Sequence, residues 1–228
     1  MQTTEPGFSE EHALRDGSHV RLRHIRPEDA DELRRGMYLE IGNLGNVRFK
    51  AEQAVENGVG YYLRLRAASI SAGAVGADLL KTIRVLKSGV GFDFNVALEN
   101  AARFKSCRAE RLCLEFNVTL NAIDEHRTVM IGSSPAKKIG ELLAATGERR
   151  VVLRDEYRHC IYSFEISQLA DIAVYPLETV STSESGFERT LQGLSLVFAI
   201  PLAAVISGDE VQVAARRESL AGDSPAAT

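Results

Sequence analysis

Residues 14–35, LRDGSHVRLRHIRPEDADELRR, hold a turn, a period-2 stretch and a proline at a helix-start position in immediate succession, and that order restricts the fold more than any other stretch. Asp16-Gly17 supplies the turn. In the stretch that follows, Val20, Leu22 and His24 share one face and His19, Arg21 and Arg23 the other, which predicts a half-buried strand. Pro27 costs no hydrogen bond at a first helical position, and Glu28 and Asp29 complement the positive end of a helix dipole. The helix then places Ala30, Leu33, Met37 and Ile41 inward, with Asp31 and Arg35 as an i, i+4 pair in water.

At 228 residues and 45% hydrophobic, the chain can bury a sizeable core in one domain with a small appendage. Its net charge of −4 provides no basic field, so nucleic acid and membrane surfaces are excluded as expected partners. Arg64, Arg66, Lys81, Arg84 and Lys87 form one basic surface only if their elements pack together, and charges alternating with apolar residues read first as a solvated face. Cys107, Cys113 and Cys160 are odd in number and far apart, which suits buried thiols in a reducing cytoplasm; no metal-ligand spacing is found. Residues 1–12 lack the pattern of a secretory signal, and residues 194–206, interrupted by Pro201, fall short of the roughly 20 apolar residues of a membrane helix. A cytoplasmic location is therefore expected.

Alternation predicts strands at 61–66, 112–120, 128–131, 172–175 and 210–215, a hairpin from 150–153 and 157–166, and an apolar strand at 194–206. Helical spacing predicts helices at 47–57, 75–88 and 95–105, and Ser134-Pro135 another that ends at Gly147. The expected fold class is α/β (α+β), with a mixed, largely antiparallel central sheet flanked by helices. Residues 1–180 form the α/β domain, 181–186 a linker, 187–217 an appended β element and 218–228 a disordered tail.

With Arg15-Asp16-Gly17, Val20, Arg21, Leu22, Arg23 and Arg26-Pro27-Glu28-Asp29-Ala30 in place, the N-terminus resembles the start of the GNAT superfamily of N-acyltransferases. The resemblance covers about a tenth of the chain. It implies an acyl-CoA-dependent N-acyltransferase that passes an acetyl group to an amine of a small molecule or protein, with acetyl-CoA as co-substrate. A glycine-rich turn of Gly73, Ala74, Val75, Gly76 and Ala77 would cradle the cofactor's pyrophosphate at a helix N-terminus, although Ala74 stands where the family has glycine and Asp78 brings negative charge. The order of residues 111–118 and Asn121-Ala122-Ile123 resembles the family's next strand and helix, but residues 91–105 make the connection long. Glu115 is then the candidate base, and Tyr162 or Tyr157 the candidate acid.

Gly132 to Lys138 offers a second strand-to-helix turn with two lysines but lacks the glycine before the lysine that a P-loop needs. Residues 128–147 resemble the last strand and helix of STAS regulatory domains, which supports an alternative: a non-enzymatic ligand-binding or regulatory domain. A third reading makes residues 194–213 the interface of a homo-oligomer such as a homodimer. The residues leave open whether the chain is an enzyme.

Overall fold

The computed structural model describes residues 9–13, 19–23, 48–72, 75–100, 110–120, 126–183, 186–206 and 209–220. Antiparallel strands dominate, and among the described residues there is one short helix. In chain order the elements are β1 (Ser9–Ala13), β2 (His19–Arg23), β3 (Lys50–Glu56), β4 (Gly60–Ala72), β5 (Val75–Leu86), β6 (Gly91–Glu99), β7 (Arg111–Thr119), β8 (Arg127–Ile131), β9 (Lys137–Lys138), β10 (Leu143–Asp155), β11 (Cys160–Ser183), β12 (Gly186–Pro201), α1 (Leu202–Ile206) and β13 (Val211–Ser219). They fall into two compact units, one of Met1–Glu40, Thr119–Ile123 and Leu177–Gly193, the other of Ile41–Val118, Asp124–Pro176 and Leu194–Thr228.

In the smaller unit β1 and β2 pair antiparallel, His12 opposite Val20. The ends of β11 and β12 that belong to it hold a separate polar contact: Gln192 Nε2 donates to Thr179 Oγ1 at 3.1 Å, and Leu120 N donates to Gln192 O at 2.9 Å. Leu191 is buried there.

The larger unit is organised by one sheet in the order β3-β4-β5-β6-β13-β11-β10-β8-β9, with β12 pairing both β11 and β7. Cross-strand register explains its core. Phe92, Ala215, Phe164, Val151 and Ile131 lie opposite one another on successive strands, and Ile83, Phe94, Val213 and Ile166 form the next such row. Because side chains alternate along a strand, each row sends apolar groups to the same face. Phe116 of β7 then meets Phe94 at 5.5 Å, Phe92 at 6.1 Å and Phe164 at 6.2 Å between ring centroids. Strands β7 and β6 are not neighbours in the sheet order, so these edge-on and tilted ring contacts run between two layers. Phe116 also packs on Phe198 of β12, within its own layer, at 6.0 Å. The apolar run that includes Leu194, Leu196, Phe198 and Ile200 is buried in the chain's own core, as are Val211 and Val213.

The helix-flanked α/β class is thus overturned. Residues expected as helix at 47–57 and 75–88 contain β3 and β5, and those at 95–105 begin inside β6. The cause is a degeneracy of spacing: Val75, Leu79 and Ile83 are four apart, which fits one helical face and one strand face equally. Thr82, Ile83 and Val85 are β-branched and favour the strand, and pairing of β5 with both β4 and β6 decides it. The Ser134-Pro135 start leads to no helix; Ser134 N closes a turn onto Ile131 O, followed by β9 and β10, so the STAS-like pattern over 128–147 is strand, turn and strand. The helix expected after Pro27 lies outside the described residues, as do residues 221–228 of the tail. Residues 181–183 of the expected linker continue β11, and Gly186 opens β12.

Candidate functional site

The sheet face turned away from the aromatic core is polar, and on it four strands build a groove of ≈ 530 Å³. Register again determines the lining. Tyr62, Arg84, Asp93 and Ala214 stand in one row across β4, β5, β6 and β13, and Thr82, Asn95 and Gln212 stand in the next row across β5, β6 and β13. Four strands at about 4.8 Å spacing make a floor roughly 14 Å across. The β3–β4 turn closes one end, where Asn57 Oδ1 accepts hydrogen bonds from Val59 N at 2.9 Å and Gly60 N at 3.0 Å.

Electrostatics divide the groove. Asp93 is bonded by Arg84 in its own row and by Arg216 diagonally across β13: Arg84 Nε donates to Oδ2 at 2.8 Å, its Nη2 to the same oxygen, and Arg216 Nη2 to Oδ1. Burial pushes the Asp93 carboxyl up, but the hydrogen bonds and charges of Arg216 and Arg84 outweigh it and hold the group below the ordinary carboxylate range. Arg216 is itself held by Nη1, which donates to Phe92 O and Ala215 O at 2.9 Å each. Gly91, opposite Arg216 in the ladder, makes room for this: a Cβ there would run into the Ala215 carbonyl oxygen and crowd the Arg216 side chain. In the other row the hydroxyl of Thr82 and the amides of Asn95 and Gln212, together with the neighbouring Tyr62 hydroxyl, have no hydrogen-bond partner among the described residues. They face the groove with donors and acceptors free for a ligand.

The residues singled out from sequence lie elsewhere. Glu115 is on the outward face of β7, where it accepts from Ser195 Oγ at 2.7 Å and Tyr175 Oη at 3.3 Å; Tyr162 lies on β11 beside Arg158 and Arg217. The two are not brought together among the described residues. Tyr157 is an exposed turn residue. Val75, Gly76 and Ala77 belong to a strand, paired with Ala72, Ser71 and Ile70, and so open no helix; Gly73 and Ala74 lie outside the described residues. The grouped basic surface resolves into ion pairs: Arg64 with Glu52 at 3.2 Å, Arg66 with Glu52, Asp78 and Glu99, and Lys87 with Glu56 at 2.8 Å. Lys81 points to the other face, over the Phe49 ring at 4.2 Å, and burial lowers its pKa. Among the described residues no cluster of His, Cys, Asp and Glu suits a metal ion, and no helix is long and apolar enough to cross a membrane.

Sequence reasoning missed Asn95 and Asp93 although their signal was present. Phe92, Phe94, Val96 and Leu98 alternate with Asp93, Asn95, Ala97 and Glu99 over residues 91–99, as clean a period of two as in β7.

The family model described as alpha-amylase/4-alpha-glucanotransferase, C-terminal, matches residues 23–210. Among solved structures, a 4-alpha-glucanotransferase from Thermococcus litoralis aligns over 86% of this chain and 26% of its own, with 19% identity and a TM-score of 0.47. The chain thus spans about a quarter of that protein's length. No curated protein sequence matches. The family match overturns the resemblance to GNAT acyltransferases and the acetyl transfer it implied; with that reading goes the ground for expecting acetyl-CoA and for the roles given to Glu115, Tyr162 and residues 73–77.

Proposed function

The chain belongs to the alpha-amylase/4-alpha-glucanotransferase C-terminal family, and on that premise we propose that it serves an α-glucan-processing enzyme as a non-catalytic module that binds the glucan in the groove of β4, β5, β6 and β13. The observation that carries the reading is the set of four uncharged polar side chains, Tyr62, Thr82, Asn95 and Gln212, unpartnered among the described residues and aimed into one groove. A sugar presents closely spaced hydroxyls that both donate and accept, and amides and hydroxyls match that pattern while an apolar or purely ionic ligand would leave them unsatisfied. The Tyr62 ring adds an apolar face for the C–H side of a sugar.

Bond cleavage is not assigned to this groove. Glycoside hydrolysis ordinarily takes two carboxyl groups, one of them protonated. Asp93 is the one carboxylate in the lining, and its arginines keep it ionised.

Calorimetric titration of the chain with maltohexaose tests the reading. Saturable binding is expected, without release of shorter sugars. Asn95→Ala and Gln212→Ala should each weaken it about five- to tenfold, the value of roughly one hydrogen bond to a ligand. No heat at millimolar maltohexaose, or unchanged affinity in both variants, would overturn it.

A further inference from the structure

We infer that the groove selects a glucan carrying an anionic substituent, a phosphate or a carboxylate, which docks against Arg84 and Arg216 while the sugar ring lies on Thr82, Asn95 and Gln212. This inference rests on the glucan-binding reading and concerns what kind of glucan is taken.

The ion triad of Arg84, Asp93 and Arg216 leaves charge and hydrogen-bond donors unused. Both oxygens of Asp93 are engaged, Oδ2 by Arg84 and Oδ1 by Arg216. Two guanidinium groups around one carboxylate leave a net charge of +1 on this cluster, in a chain whose overall charge is −4. The donor count agrees with the charge count. Arg84 uses Nε and Nη2, and Arg216 uses Nη1 and Nη2; Nη1 of Arg84 and Nε of Arg216 have no partner among the described residues. Both side chains are held in place, Arg84 by its two-nitrogen contact with Asp93 and Arg216 by the carbonyls of Phe92 and Ala215, so little side-chain entropy is lost when an anion arrives.

Two of the neighbouring charges are already neutralised. Arg64, in the row of Thr82, is paired with Glu52, and Glu165, beyond Ala214 in the row of Asp93, is paired with Arg150 at 3.2 Å. Glu218, exposed and two residues beyond Arg216 on the same face of β13, offsets charge on the Arg216 side, so the unneutralised charge is centred on Arg84. A neutral glucan would satisfy the amide row and leave these donors to water; a phosphate or carboxylate one sugar hydroxyl away from the amides satisfies both rows at once.

The test compares maltotriose, maltotriose bearing a 6-phosphate, maltotriose with one C6 oxidised to a carboxylate, and inorganic phosphate, by titration calorimetry at low and high salt. The expected result is that either anionic sugar binds about tenfold tighter than maltotriose, as a charge-assisted hydrogen bond would give, and that added salt narrows the gap. A gap for only one of the two anionic sugars identifies which anion is recognised and also supports the inference. Arg84→Gln should bring the anionic sugars to the affinity of maltotriose, and Arg84→Lys should recover part of the difference. Equal binding of all three sugars would overturn the charge selection and leave the glucan reading standing. Inorganic phosphate bound as tightly as the phosphorylated sugar would reduce the site to a simple anion site and overturn the inference, and no binding of any sugar would overturn both readings. Arg84 is nearly half exposed, so its variants should fold; a wild-type affinity gap persisting in folded Arg84→Gln would equally overturn it.

Discussion

At the scale of single residues, two charged constellations play opposite parts. Arg127 and Asp155 are fully buried opposite one another on β8 and β10, with Nε 3.0 Å from Oδ2, a contact of charges and not an aligned hydrogen bond. Asp155 also accepts from Arg158 N at 3.0 Å and so fixes the turn into β11. Breaking a fully buried ion pair is costly, and Asp155→Asn should cost about 3–5 kcal/mol in urea unfolding. Asp93 behaves differently, being partly wet and depressed in pKa by its arginines. A depressed carboxyl contributes stability that is present above its unfolded value near 4 and is lost as pH falls through the folded value. Asp93→Asn should therefore lower stability at pH 7 and flatten the acid limb below about pH 4, measured as urea midpoints across pH.

At the scale of elements, Phe116 ties β7 to β6, β11 and β12 through four ring contacts. Truncating it opens a void between two layers, so Phe116→Ala should destabilise by about 3–5 kcal/mol, read from thermal or urea unfolding. Gly91→Ala belongs to the same scale: it should displace Arg216 from Asp93 and weaken binding of the anionic sugar as well as stability, both measurable on one sample. The elements also show where the sequence was readable. In Arg111–Thr119 the apolar and polar residues alternate without interruption, so β7 could be read directly. In residues 47–57 and 75–88 the apolar residues recur at intervals of four, which a helix and a strand share, and the choice rested on neighbours that sequence periodicity does not name.

At the scale of the whole molecule, far-UV circular dichroism should report a sheet spectrum with little helical signal, and a dominant helical spectrum would contradict the architecture. Local periodicity determined which residues turn inward along β4, β7 and β13, because alternation follows from the backbone alone. Only the tertiary structure decided that β5 is a strand, since it is stabilised by pairing on both sides. Only the tertiary structure made the groove, because Tyr62, Thr82, Asn95 and Gln212 are up to 150 residues apart in the chain and meet through the register of four strands.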